Sequence, residues 1–363
     1  MLMVETTDTR YVIHKYPEEH YLTFFDRKTG SFARVEEKGF PEPFWARTGP
    51  ELMDISITDW CDRECNICYR NSSRSGKHMS IADYERILIQ GEKIHVLQIA
   101  LGGGNPNQHP AFVEILRLTR EEYGVIPSYT TNGRGLNSRI LAASRDYCGA
   151  VAVSAYEPYS EMLEALRLLE KHNIRANVHF VLTSQSVDAA IQWLEQPPGF
   201  LKSVNALVFL NYKPVGNHKN HHLLIRHSGR IREFYRLAVE SGREFKVGFD
   251  SCLVSGLAKF TQTDPAMYDS CDSARFSMYI STDLRMYPCS FMVDKCEGIQ
   301  VNAHNIQDTW QNSKLFKSIR NRSYARACLR CGKFEVCRGG CVAFPEVNAC
   351  GACDLLGGYG GEG

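Results

Sequence analysis

The fourteen cysteines of this 363-residue chain fall in groups, and those groups limit what it can fold around. Cys61, Cys65 and Cys68 share one short segment, and Cys328, Cys331, Cys337 and Cys341 share another. Cys350 and Cys353 follow, Cys252, Cys271, Cys289 and Cys296 lie between, and Cys148 stands alone. The first twenty residues include Asp8, Glu18 and Glu19 and have no apolar stretch of the secretory kind, so a cytoplasmic, reducing location is expected. Thiols in that compartment stay reduced, which makes metal binding the leading account of so many cysteines. Only Cys148 reads as an ordinary buried thiol.

Forty-two basic residues balance forty-one acidic ones, so no global field draws the chain to nucleic acid or to an anionic membrane. Its apolar runs, such as 150–155 and 206–210, are of strand length and far short of the roughly 20 residues that cross a bilayer. With 44% hydrophobic residues the chain can build a sizeable core plus an appended unit.

Residues 1–50 alternate in strand fashion around a turn at 26–30, which predicts a small N-terminal β-hairpin, a structural cover or a docking element for a peptide. From residue 51 to 250, apolar runs at 52–57, 96–101, 127–131, 150–154, 176–182, 206–211 and 245–249 alternate with helix-period segments. The helical segments are 80–92, 111–123, 139–144, 160–173, 186–195 and 227–241. Such alternation specifies an α/β fold with a parallel sheet, here a partial (β/α)6 TIM-like barrel. Ligand sites on these sheets lie at the carboxyl ends of the strands, where the first cysteine group falls. After residue 250 the alternation stops and cysteines become dense. Residues 251–356 are therefore expected to form a cysteine-rich C-terminal domain, with 357–363 a flexible glycine-rich tail.

Cys61, Cys65 and Cys68 are spaced C-x3-C-x2-C, a loop that can hold three irons of a cubane and leave the fourth open. A structural zinc site wants four protein ligands in a tetrahedron, and His78 is ten residues away. The triplet, placed just after the first strand of a βα series, resembles the radical S-adenosylmethionine (SAM) superfamily. The resemblance implies a 4Fe-4S cluster whose open iron binds SAM and cleaves it reductively to a 5'-deoxyadenosyl radical. Ile67, before the third cysteine, stands where the family usually has an aromatic residue near adenine. Gly102, Gly103, Gly104 and Asn105 after the second strand resemble the family's Gly-Gly-Glu-Pro segment, which implies that Gly103 and Gly104 approach the methionine moiety closely and that Asn105 replaces the usual acidic residue. Asn132 and Ser154, at further strand ends, are implied to reach the ribose or carboxylate of SAM. Arg175 is a weaker candidate for the carboxylate.

The run Cys328, Cys331, Cys337 and Cys341 has the spacing C-x2-C-x5-C-x3-C, which resembles the SPASM type of auxiliary domain in radical SAM enzymes that modify peptides. Its upstream half fits Cys271 and Cys289, except that Leu284 stands where that pattern has glycine. The resemblance implies two auxiliary iron-sulfur clusters, of the 4Fe-4S type. One would use Cys271, Cys289 and Cys341, with Cys252 or an open site as the fourth ligand; the other would use Cys328, Cys331, Cys337 and one of Cys350 or Cys353. Zinc ribbons are the competing account of the C-x2-C pair, since four-thiolate sites suit both metals.

Asp250, at a predicted strand end, is the carboxylate nominated to take up a proton when a product radical is oxidised; capping of the following turn is its structural alternative. Tyr212 and Lys213 stand at another strand end as candidate substrate contacts, whereas His218, His221 and His222 read as exposed loop residues. The expected activity is that of a peptide maturase, with a precursor peptide and an electron donor such as flavodoxin or ferredoxin as partners. A small-molecule radical SAM dehydrogenase and a non-catalytic zinc protein are the alternatives.

Overall fold

The structure is a computed structural model that describes residues 3–6, 10–217 and 219–351. The N-terminal region is a four-stranded antiparallel sheet rather than a lone hairpin: β1 (Met3–Thr6), β2 (Tyr11–Tyr16), β3 (Tyr21–Asp26) and β4 (Phe32–Glu36), in that spatial order. The expected hairpin is β3–β4. Period-two alternation buries Val12, His14 and Tyr16 on β2 and Tyr21, Thr23 and Phe25 on β3. Val12 and Phe25 pack on Leu97 and Ile126, at the amino-terminal ends of barrel strands. The small sheet thus sits at the opposite end of the barrel from the cysteine loop.

Next come the barrel elements: β5 (Leu52–Thr58), α1 (Ile81–Lys93), β6 (Gln98–Gly103), α2 (Phe112–Arg117), β7 (Ile126–Thr131), α3 (Ser138–Tyr147), β8 (Val151–Ser154), α4 (Ser160–Lys171), β9 (Ala176–Leu182), α5 (Val187–Glu195), β10 (Ala206–Asn211), α6 (Ile231–Ala238) and β11 (Lys246–Phe249). All seven strands are parallel and neighbour one another in chain order. Along β5, Met53, Ile55 and Ile57 are fully buried against the helices while Asp54, Ser56 and Thr58 take the other face. Burying side chains of that size stabilises the fold by about 1.5–3 kcal/mol each. Helix α1 starts where Ser80 accepts the Asp83 N–H at 3.1 Å, and it presents Tyr84, Ile87 and Leu88 to the sheet. The expected helix over 227–241 is shorter, because 225–227 forms a separate 3₁₀ turn and Gly229 precedes the helix.

Beyond β11 lie α7 (Val254–Phe260), β12 (Ser277–Ile280), β13 (Arg285–Tyr287), β14 (Ile299–Gln300), α8 (Ile306–Asn312) and α9 (Lys314–Arg320). The cysteine-rich third does not start a new sheet: β12 pairs parallel to β5, so the sheet runs through ten strands from β11 to β14. Arg34 on β4 locks the three regions together, pairing with Glu51 at 3.0 Å and Asp269 at 3.5 Å and lying 3.5 Å above the Phe276 ring. Among the described residues no helix is long and apolar enough to cross a membrane. Cys353, His218 and the tail 357–363 lie outside the described residues.

Candidate functional site

The carboxyl ends of the barrel strands open onto one cavity of about 360 Å³. Cys61, Cys65 and Cys68 form one wall of it. Their loop leaves β5 at Thr58, whose hydroxyl accepts the Trp60 N–H at 2.9 Å, and it is tied to residues 73–78 by Asp59 N–H to Lys77 O and Cys61 N–H to Ser73 O. On its other side it lies against the end of β6, where Gly104 N–H reaches Thr58 O at 2.7 Å and Asn105 N–H reaches Trp60 O at 2.9 Å.

That contact explains the glycines. A Cβ on Gly103, whose φ is +109°, would stand 2.0 Å from Thr58 O, and one on Gly104 would stand 2.0 Å from Trp60 O. Both line the cavity, yet the approach that requires glycine is to the cysteine loop's own backbone. Asn105 departs further from expectation. It is 1% exposed, its Oδ1 accepts from Thr131 Oγ1 at 3.0 Å and Asn132 N–H at 3.1 Å, and its Nδ2 faces Arg134 O at 3.3 Å. The amide braces β6 to β7 instead of facing the cavity. Arg175 donates to Thr29 O in the β3–β4 turn, at the far end of the barrel, and so takes no part in the site.

Asn132, Ser154 and Ile67 all line the cavity. Asn132 Nδ2 donates to Asp62 Oδ1 at 2.9 Å and points at Cys61 Sγ from 3.7 Å. Tyr156, which the sequence reading missed, is hydrogen-bonded to Ser154 and Cys65, and burial pushes its phenol up. Arg63 lies 4.6 Å above its ring. Burial also raises Cys61 and Cys65. The barrel interior supplies Asp54 and His179, also missed. Burial lifts Asp54 to about 6, against the pull of Arg70 and a hydrogen bond to Ser290, and holds His179 down at about 4. Their signal was a polar residue on an otherwise apolar strand whose opposite face is already committed to the core.

Asn211, Tyr212, Lys213, Asp250, Ser290 and Phe291 form a further part of the cavity wall. Asp250 makes no side-chain cap to the next turn. Its Oδ2 accepts the Asn211 N–H at 3.1 Å and pairs with Lys213 Nζ at 3.3 Å, while Oδ1 is buried without a partner. Tyr212 is buried, its hydroxyl accepting the Asn220 N–H at 3.1 Å. His221 and His222 are exposed in a 3₁₀ turn.

Behind that wall Cys252, Cys271, Cys289 and Cys341 come together from four segments. Cys252 and Cys341 are hydrogen-bonded, which draws Cys252 down and drives Cys341 up; Cys271 and Cys289 sit in the field of the same thiols, and burial lifts them to about 11 and about 12. A second set joins Cys337, at about 12 through burial, to Cys350 and Cys328. Between the sets, Arg338, Gly339 and Gly340 take three consecutive left-handed conformations, with φ of 46°, 76° and 66°. That turn sends Cys337 to one set and Cys341 to the other. Cys331 is exposed, Cys296 donates to Met292 O at 3.5 Å, and Cys148 is a half-buried residue whose thiol is raised by desolvation. Among the described residues no three His, Cys, Asp or Glu side chains converge on a point that could hold a single metal ion. The donor sets, three thiols around one cavity and four buried thiols beside it, fit soft multi-iron groups.

Residues 55–192 match the Radical SAM superfamily. That segment is a radical SAM domain. The mycofactocin maturase MftC of Mycolicibacterium smegmatis is 25% identical to it over 315 residues, covering 81% of this chain and 78% of that protein. In fold the chain is similar to Streptococcus suis SuiB bound to S-adenosylmethionine, with a TM-score of 0.67 at 19% identity over 85% of this chain and 78% of SuiB. It is likewise similar to anSMEcpe bound to AdoMet and a peptide, with a TM-score of 0.58 at 17% identity over 80% of this chain and 88% of that one. These likenesses show the fold over most of the chain, beyond the matched segment.

Proposed function

We propose that this protein is a radical SAM peptide maturase that oxidises a residue of a ribosomally made precursor peptide. Cys61, Cys65 and Cys68 would hold the 4Fe-4S cluster at which SAM is cleaved, with Asn132, Ser154, Ile67 and Tyr156 around the nucleoside. Cys252, Cys271, Cys289 and Cys341 would hold one auxiliary cluster, and Cys328, Cys337 and Cys350, with Cys331 or Cys353, the other. Such clusters supply one-electron chemistry when bound.

The balance of the reaction is simple. One electron from a flavodoxin- or ferredoxin-type donor cleaves SAM, and the 5'-deoxyadenosyl radical takes a hydrogen atom from the peptide. Loss of one electron and one proton from the carbon radical then takes two hydrogens from the peptide overall; Cys252, Cys271, Cys289 and Cys341 would hold the group that receives the electron. Asp250 is the base we assign, because its Oδ1 is buried, unpartnered and on the cavity wall.

The observation that carries this reading is that one cavity is lined by the three-cysteine loop and by Asp250 and Lys213, which lie in the field of a second group of thiols. Peptide substrates also agree with the relatives, a maturase and enzymes bound to peptides. The test is anaerobic reconstitution followed by reaction with SAM, a reductant and candidate precursor peptides. A peptide lighter by two hydrogens, with 5'-deoxyadenosine formed alongside, supports it. Oxidation of a small alcohol or amine instead would assign a dehydrogenase, and zinc with little iron would end the enzymatic reading of the thiols.

A further inference from the structure

We propose that Lys213 couples the two halves of the site, its buried ammonium setting the reduction potential of the group held by Cys252, Cys271, Cys289 and Cys341 while anchoring the carboxylate that faces substrate. The inference rests on the auxiliary-cluster reading above.

The Lys213 side chain is 0% exposed. A buried ammonium has three protons to satisfy and is costly to leave uncompensated. Lys213 Nζ donates to Asn211 O at 3.0 Å and pairs with Asp250 Oδ2 at 3.3 Å. The fields of Cys252 and Cys341 reach it as well, and Asn211, whose carbonyl it holds, donates its amide to Cys252 O at 3.2 Å. The Phe291 ring closes over it, 3.9 Å from Nζ, and excludes water from that side. The same ammonium therefore holds the substrate-side carboxylate and lies in the field of the thiol set.

A lysine that served packing alone would need only its carboxylate and carbonyl. Lying in the field of a thiolate set has a chemical consequence. Four thiolates on a 4Fe-4S core are anionic in the oxidised state and gain one further negative charge on reduction. A fixed cation at their edge, in a site of low dielectric, favours the reduced state. Lys213 thereby makes the group a better acceptor for the electron of the substrate radical. Asp250 offsets part of that charge, which makes opposite changes at the two residues diagnostic.

The test uses the full chain, reconstituted without oxygen, in wild-type, Lys213→Met, Lys213→Arg and Asp250→Asn forms. Iron per chain is counted and each cluster signal is titrated by electron paramagnetic resonance. We expect Lys213→Met to keep its iron and to lower the midpoint potential of one auxiliary signal by a tenfold change in the one-electron equilibrium, about 59 mV. Lys213→Arg should restore at least half of that shift, and Asp250→Asn should move the same signal upward. The ratio of modified peptide to 5'-deoxyadenosine should fall about tenfold in Lys213→Met, since radicals that cannot be oxidised are quenched instead. Unchanged potentials in both Lys213→Met and Asp250→Asn would overturn the inference and leave the maturase reading standing. Should Lys213→Met lose iron, Lys213→Gln, which keeps a polar head without the charge, takes its place: a downward shift of the same signal supports the role of the cation, and none defeats it. A wild-type protein with only about four irons would instead defeat the auxiliary-cluster reading itself.

Discussion

The two cysteine-bearing regions are built in contrasting ways. The loop at 61–68 gathers its three thiols within one turn of chain, and its shape is set by main-chain contacts to its neighbours at 73–78 and to the end of β6. The set of Cys252, Cys271, Cys289 and Cys341 draws each thiol from a different segment, held by side chains and by left-handed turns. A local loop on a regular frame is specified by spacing; a set assembled across the fold is specified by tertiary packing. The two should fail under different substitutions.

The largest effect is expected at Gly104. A methyl group there would stand 2.0 Å from the Trp60 carbonyl, a distance no side-chain adjustment relieves because the clash is with backbone. Gly104→Ala should therefore lose about four irons per chain while the rest stay bound. Gly199→Ala, which meets nothing within 4 Å, is the control. Equal loss from all centres would show that the loop and the C-terminal sets form one cooperative unit, and the contrast would break.

Asn348 is the counterpart in the second region. It is 1% exposed, its Oδ1 accepts the Cys341 N–H at 2.8 Å, and its Nδ2 faces Gly339 O at 3.2 Å, so it holds the turn that separates the thiol sets. Asn348→Ala should destabilise the protein by about 1–3 kcal/mol through the buried amide it leaves unpaired. Thermal unfolding together with an iron count checks this: the auxiliary iron should become labile before that of the 61–68 loop.

How far these two regions could be read from sequence follows the same division. The seven barrel strands were legible because parallel strands buried on both faces read as continuous apolar runs, and the cysteine loop was legible because its ligands are neighbours. The orientation of the Asn105 side chain was not legible, because register after a motif says where a residue stands in the chain, not which way its amide points. The N-terminal hairpin proves to be part of a four-stranded sheet because β1, only four residues long, adds to the edge of β2, a pairing that so short a run does not announce. Tyr156 and the grouping of Cys252 with Cys341 depend on contacts between segments far apart in the chain, which no spacing encodes.

Asp54 sits where the two regions meet, on β5 but hydrogen-bonded to Ser290 beside Cys289. Burial raises its carboxyl from 3.8 to about 6, so the folded state keeps a proton that the unfolded chain has already lost. Stability is unaffected below the unfolded value, falls as pH rises from about 4 to about 6, and stays reduced above that. Asp54→Asn removes the penalty. It should raise stability by about 1–2 kcal/mol near pH 7.5, once the solvent reaching the cavity is allowed for, and by about half as much near pH 5. Melting curves at the two pH values decide it; a gain that ignores pH would mean that packing, not charge, is what changed.

The smallest effect is expected at Leu284, where the SPASM-type pattern has glycine. Its φ is +62°, in the left-handed region, and its N–H closes the turn between β12 and β13 onto Ser281 O at 2.9 Å. A residue with a Cβ pays about 1 kcal/mol in that conformation. Leu284 also packs against the main core, which returns about as much through its partly buried side chain. Leu284→Gly should therefore change stability by less than about 1 kcal/mol, whereas removing a half-buried leucine elsewhere is a clear loss. A large destabilisation would mean that the side chain holds β13, and with it Cys289, in place. A neutral result would leave the turn's backbone as the feature that aims Cys289, with the leucine in the conformation that glycine takes at no steric cost.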